Sequence, residues 1–208
     1  GFSAARFLHL DDPTLDKSGA GLGILYATDE EIAETEYVRA DNRNALVVRH
    51  NIGRAGLQLV VAYLDHATEE ARIAQYQELD AQLEDMPTVL VGDLNGLRND
   101  MRGARLQHRM SDLAIRCVAP LIPNRLSVAA RAKGVNQRKL IPEVLEKYVD
   151  ADATLKRPTM PARFPVFGVD YMLHTPDVAV SNFNVVNTPS VRRATDHAGL
   201  VADIAPAA

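Results

Sequence analysis

Between Pro87 and Asn95 the sequence leaves the backbone few choices. Pro87 ends whatever precedes it, Val89, Leu90 and Val91 form a short apolar run, and Gly92 frees the backbone just before Asp93 and Asn95. The stretch Thr88 to Asn95, TVLVGDLN, therefore predicts a buried strand that delivers a carboxylate and a carboxamide to its exposed tip. Residues two apart on a pleated strand share a face, so Asp93 and Asn95 can address one ligand if the strand direction persists through Leu94. The alternative is a turn in which Asp and Asn bond only their own backbone. Taken alone, the stretch is compatible with both.

Composition bounds the rest. With 208 residues and 47% hydrophobic content, the chain is sized for a single domain, residues 1–208, with a substantial core. The single cysteine, Cys117, excludes an intrachain disulfide and a cysteine metal cluster, fits a reducing compartment, and reads as a small core residue. The opening GFSAARFLHLDD lacks both a basic region and a long apolar block, so neither a signal peptide nor a membrane span is expected and the expected location is cytoplasmic. Gly1 in place of Met points to processing or to a start inside a longer protein.

The net charge of −4 argues against a surface that grips nucleic acid throughout. Its distribution is uneven. Asp11 to Glu36 is acidic, whereas Arg98 to Lys139 carries ten basic residues against Asp100 and Asp112. Two solvated faces would account for this, and so would an anion-facing segment just downstream of GDLN.

In chain order, GLGILY (Gly21 to Tyr26) has strand length. Asn44 to Arg49 and Gly56 to Leu64 flank the turn-rich NIGRAG and predict a hairpin whose second strand is buried on both faces. Ile73, Tyr76, Leu79 and Leu83 recur at helical spacing within a helix over Glu69 to Glu84, with Glu69 and Glu70 suiting its N-terminal dipole. His66, just before it, reads as a capping or surface residue. Leu106 to Cys117 is amphipathic, and further helices are expected over Leu126 to Lys133 and over Pro142 to Val149, with Pro142 in the first turn. Strands resume at Phe167 to Leu173, Val178 to Val186 and Gly199 to Ile204.

Two C-terminal motifs join GDLN. Val169-Asp170-Tyr171-Met172-Leu173 sets a carboxylate inside an apolar strand, a costly position unless the group is paired or employed. Thr195-Asp196-His197 stands just before the last strand. His197 can serve as a general base if a carboxylate orients it, and Asp170 is the natural candidate. Asp93, Asn95, Asp170, Asp196 and His197 thus form a convergent polar constellation.

With these motifs in this order, the sequence resembles the endonuclease/exonuclease/phosphatase superfamily, whose fold is that of pancreatic deoxyribonuclease and the apurinic endonucleases. GLGILY, LVVAYLDHATEEARIAQ, VLVGDLN, PARFPVFGVDYML and TDHAGLVADI match collinearly. The resemblance implies an α+β fold, a four-layer αββα sandwich of two mainly antiparallel sheets, and Mg²⁺-dependent hydrolysis of a phosphoester, with Mn²⁺ a possible substitute. It implies that Asp93 orients or deprotonates the attacking water and that Asn95 hydrogen-bonds the phosphoryl oxygens. Asp196 is assigned to the metal site, and His197, held by Asp170, to phosphate activation. Such a set is coherent, since an anionic phosphoester needs a hard cation with carboxylate ligands and neutral or cationic donors around it.

Two departures stand out. Where the phosphatase-like branches carry a histidine this chain has Tyr63, as the apurinic endonuclease branch does; Tyr63 is a catalytic hydroxyl or a core aromatic. The family's first strand with its asparagine, and its second strand with the glutamate that is the principal metal ligand, fall before Gly1, while Glu30, Glu31, Glu34 and Glu36 follow GLGILY in the wrong order. An N-terminally incomplete domain is expected to expose sheet edges and to associate with itself. Three functions remain open: a phosphohydrolase or phosphodiesterase acting on a small or lipid-like phosphoester, a nuclease, or a metal-impaired binding domain of the same fold.

Overall fold

The computed structural model describes residues 4–9, 21–26, 32–40, 43–50, 56–65, 68–96, 139–154, 157–163, 165 and 168–207. The NIGRAG hairpin forms as the apolar runs predict: β4 (Arg43–His50) pairs antiparallel with β5 (Leu57–Tyr63). On its other edge β4 pairs with β3 (Ile32–Ala40). From β5 the chain crosses through α1 (Glu69–Asp80) to β6 (Thr88–Asp93), which lies parallel to β5. The antiparallel strands β8 (Asp170–His174) and β7 (Val149–Asp150) complete a six-stranded sheet in the order β3-β4-β5-β6-β8-β7. Two hairpins stand apart from it: β1 (Ala4–His9) with β2 (Gly21–Tyr26), and β9 (Val178–Val186) with β10 (Gly199–Pro206).

Alternation along the central strands divides the core in two. Val60, Ala62, Leu90, Tyr171 and Leu173 pack with Tyr76 and Leu79 of α1 and with Leu140, Ile141 and Val144 of α2 (Leu140–Val144). Leu57, Val89 and Met172 face the other way, against Val178, Val180, Phe183 and Leu200 of the β9–β10 hairpin. Each fully buried aliphatic side chain contributes about 1.5 to 3 kcal/mol relative to exposure, so the two clusters clamp the central sheet from both sides. This is the α+β, mainly antiparallel, two-sheet arrangement expected, with β5–β6 as the parallel pair. The amphipathic segment Leu106 to Cys117 and the helix expected over Leu126 to Lys133 lie outside the described residues, as do Arg98 to Arg138 of the basic stretch. Among the described residues no helix is long and apolar enough to cross a membrane.

Several local expectations are corrected. The helix after β5 stops at Asp80 rather than Glu84, and its N-cap is Thr68, whose Oγ1 accepts from Ala71 N–H at 3.2 Å. Its inward face carries Tyr76 and Leu79 as the periodicity predicts, yet Glu69, Arg72 and Gln75 are buried beside them. Glu69 is therefore no solvated dipole partner. The helix expected over Pro142 to Val149 starts at Leu140 and lasts five residues, after which a turn leads into β7 at Val149. Strand β8 begins at Asp170 itself, so the carboxylate stands at the end of a strand rather than inside one.

Gly96 and α2 meet closely: a Cβ on Gly96 would lie 3.0 Å from Ile141 Cδ1 and 3.2 Å from Leu140 Cδ2. The Tyr171 hydroxyl, buried beneath, is 2.8 Å from the Gly96 carbonyl and 3.0 Å from that of Gly168. Gly96 and the start of α2 thus share one neighbourhood.

Candidate active site

Strand register gathers the site. Tyr63 pairs with Asp93 across β5 and β6, and Asp93 pairs with Asp170 across β6 and β8, so the three stand in one lateral row at the end of the central sheet. Gly92 makes the approach possible, because with φ +138° its backbone passes so close to Ala62 that a Cβ would lie 2.0 Å from the Ala62 carbonyl oxygen. Directly opposed like charges destabilise a sheet. The chain answers this with His197, brought in on the segment just before β10.

The Nδ1 atom of His197 lies 3.0 and 2.9 Å from the two Asp170 oxygens, while its Nε2 faces Asp93 Oδ2 at 4.0 Å. The orienting carboxylate expected for His197 is therefore Asp170. The bond from Asp170 pushes the imidazole up to about 9, against the opposing effect of burial, with the charges of Asp170, Asp93 and Asp196 adding to it. Burial and then the facing Asp170 carboxylate push Asp93 up to about 6, although the Asn95 N–H and His197 pull it down. At neutral pH the ring, raised to about 9, is a cation between two carboxylates and can donate there.

Strand direction does not persist through Leu94. Asn95 takes φ +50°, a left-handed conformation that Asn tolerates, and its backbone N–H donates to Asp93 Oδ1 at 2.9 Å. The turn and the site turn out to be one structure. One Asp93 oxygen closes the turn, and the other faces His197. Asn95 Nδ2 donates to the Leu64 carbonyl at 3.0 Å, which leaves the second N–H of the carboxamide and its oxygen for other partners.

Asp196 is exposed on the segment that carries His197, near enough for its charge to raise both His197 and Asp93. Its backbone carbonyl accepts from Ala162 N–H at 2.6 Å, and Ala198 N–H donates to the Thr159 carbonyl at 2.8 Å. Buried Thr159 also meets the Asp170 N–H through its hydroxyl at 3.4 Å, so residues 159–162 tie together the two halves of the Asp170–His197 pair. Thr159 was not singled out by the sequence, and neither were Arg72 and Gln75, which lie in a matching stretch but follow no periodicity. Tyr63 is half-buried and beside Asp93, where its hydroxyl can serve the site and its ring the core.

Donor atoms of Asp93, Asp170 and His197 lie within 4.8 Å of one another. Both Asp170 oxygens lie within 3.0 Å of His197 Nδ1, and Asp196, exposed on the neighbouring segment, is not among these grouped donors. Two carboxylates beside one imidazole, with Asp93 raised in proton affinity and the charge of Asp196 nearby, form an oxygen-rich set that suits a hard divalent cation.

An α+β frame thus carries an Asp, an Asn and an Asp–His pair at its strand ends. The model of the Endonuclease/Exonuclease/phosphatase family matches residues 5–197, and the chain belongs to that family. Among solved structures it is similar to an endonuclease/exonuclease/phosphatase from Beutenbergia cavernae, at 18% identity and TM-score 0.61, covering 100% of this chain and 54% of that one. It is likewise similar to a mannosyl-6-phosphatase from Bacteroides thetaiotaomicron, at 13% identity and TM-score 0.56 over 98% of this chain and 78% of that one. The human Nocturnin catalytic domain, solved with a bound sulfate, aligns at 15% identity and TM-score 0.55 over 98% and 72%. No curated protein matches the chain in sequence.

Proposed function

We propose that this chain is a divalent-metal-dependent phosphoester hydrolase. The observation that carries the reading is the single row of Asp93 and Asp170 with His197 between them, closed by Asn95 on the adjoining turn. In this reading Asp93 Oδ2 orients the attacking water and takes its proton. Its raised proton affinity, to about 6, suits a base working near neutrality. His197, kept protonated by Asp170, donates from Nε2 to a phosphoryl oxygen, and the free N–H of Asn95 donates to another. Tyr63 pairs with Asp93 at the end of the row, and its hydroxyl would meet the phosphate or the leaving group. Asp196 and Asp93 would hold Mg²⁺, or Mn²⁺ in its place, which when bound supplies Lewis-acid neutralisation of the phosphoryl charge. Self-association through the open edges of the two hairpins belongs to the same reading.

The experiment measures hydrolysis of a bis-aryl phosphodiester, an aryl phosphomonoester and abasic-site DNA, with Mg²⁺ or Mn²⁺ against EDTA. Metal-dependent turnover is expected, lost in Asp93→Asn and His197→Ala, and the preferred substrate separates phosphodiesterase, phosphatase and nuclease. Turnover that persists in EDTA, or in both variants, would sink the assignment.

A further inference from the structure

The buried polar groups of α1 take no part in the reaction just described. Glu69, Arg72 and Gln75 are 1%, 0% and 0% exposed. Arg72 donates from Nε and Nη2 to Glu69 Oε2 at 3.2 and 2.7 Å, and from Nη1 to the Asp65 carbonyl at 3.1 Å. Gln75 Oε1 accepts from the Asp65 N–H at 2.8 Å. The other Glu69 oxygen accepts from the N–H groups of Lys139 and Leu140, both at 2.7 Å. A buried ion pair is a weak source of stability compared with apolar residues of the same size, so its presence here calls for another reason.

That reason lies one residue along the chain. Both backbone polar groups of Asp65 are held by side chains of α1, and Asp65 directly follows Leu64. The Leu64 N–H donates to the Asp93 carbonyl at 3.0 Å, and the Leu64 carbonyl accepts from Asn95 Nδ2 at 3.0 Å. Hydrogen bonds, joined by the Leu64–Asp65 peptide bond, thus connect the interior of α1 to the carboxamide.

We propose that Glu69, Arg72 and Gln75 are positioning residues for Asn95: by holding Asp65 at both its N–H and its carbonyl, they fix the Leu64 carbonyl that aims the carboxamide. What Asn95 is aimed at rests on the phosphohydrolase reading; the aiming itself does not.

The test compares two variants of the full chain. Gln75→Met keeps the volume and removes the acceptor for Asp65 N–H, while Leu79→Ala removes core packing from the same helix without touching Asp65. In Gln75→Met, measured by nuclear magnetic resonance in EDTA, the Asn95 side-chain amide resonances should shift and the Asp65 amide should exchange about tenfold faster or more, whereas kcat on the phosphodiester should fall about tenfold or more with KM little changed. Leu79→Ala should lower the melting temperature and leave the Asn95 resonances, Asp65 exchange and kcat as in wild type. Wild-type Asn95 resonances and Asp65 protection in Gln75→Met would overturn the proposal. If Gln75→Met does not fold, Arg72→Lys, which keeps the charge and loses the fork reaching the Asp65 carbonyl, takes the same readouts. A wild-type chain that hydrolyses no phosphoester would overturn the functional reading alone, since the resonance and exchange measurements still decide the positioning.

Discussion

Asp93 and Asp170 stand directly opposite one another in the β6–β8 register, and His197 bridges them, 2.9 Å from Asp170 Oδ2 through Nδ1 and 4.0 Å from Asp93 Oδ2 through Nε2. Two neighbouring carboxylates at the end of a sheet raise the free energy of the folded chain unless a cation stands between them. The imidazolium meets part of that need. Its Nε2 stands 4.0 Å from Asp93 Oδ2, longer than a hydrogen bond.

Replacing Asp93 with Asn should stabilise the protein while disabling it. The folded-state pKa of Asp93, about 6, lies above its ordinary value, so the stability associated with this group is full below about pH 4 and is lost as pH rises through about 6. Asp93→Asn removes that loss and keeps an oxygen for the Asn95 N–H. Chemical denaturation at about pH 8 should show a gain on the order of 1 to 2 kcal/mol, accompanied by a fall in kcat of about two to three decades. A variant less stable than wild type at that pH would mean that Asp93 is not under electrostatic strain.

His197 behaves in the opposite sense. Its folded-state pKa of about 9 exceeds its ordinary value, so the stabilisation it draws from Asp170 is fully present below about pH 6.5 and disappears as pH climbs through about 9. Thermal melts of wild type and Asp170→Asn should differ most near about pH 6.5 and converge at about pH 10. Curves separated equally at both ends would place the contribution of Asp170 elsewhere.

Magnesium should raise the melting temperature at about pH 7.5 more than at about pH 5, because protons compete with the cation for Asp93. At a hundred times Kd the gain amounts to about 2.7 kcal/mol. Asp196→Ala, which alters an exposed side chain and costs little stability without metal, should remove most of that gain. Melts with Mg²⁺ and with EDTA measure both.

Gly92→Ala should cost about 3 kcal/mol or more, since the new Cβ would lie 2.0 Å from the Ala62 carbonyl and φ +138° disfavours any L side chain. A melting temperature within a degree or two of wild type would show that β5 and β6 can separate locally. That outcome would also loosen the row that Tyr63 and Asp93 share.

Sequence patterns reached much of this arrangement because they are local. The GDLN turn, the DYML strand and the TDH segment each announce themselves by a polar residue at an apolar boundary, and the hairpin and α1 follow from alternation and helical spacing. What remained illegible depends on register. Nothing in TVLVGD or VDYML says that Asp93 faces Asp170 rather than a residue two places along, and that alignment turns two carboxylates into one coupled site. Arg72 and Gln75 were hidden for a related reason: on an amphipathic helix they read as the polar face, whereas tertiary contacts with Asp65 draw them inside. Whether the strand runs on through Leu94 or turns stayed open, because pattern alone cannot see that Asp93 and Asn95 close a turn upon each other.

The meeting of Gly96 with Leu140 and Ile141 carries a consequence for how such a chain diversifies. Gly96 and Leu140, far apart in sequence, meet at one socket, whose walls are the buried Tyr171 hydroxyl on one side and Glu69 on the other. Doubling the length of a flexible connection costs only about 0.6 kcal/mol when its ends are already close. With both anchors held by the frame, a change in the number of residues between Gly96 and Lys139 leaves Asp93 and Asp170 in register.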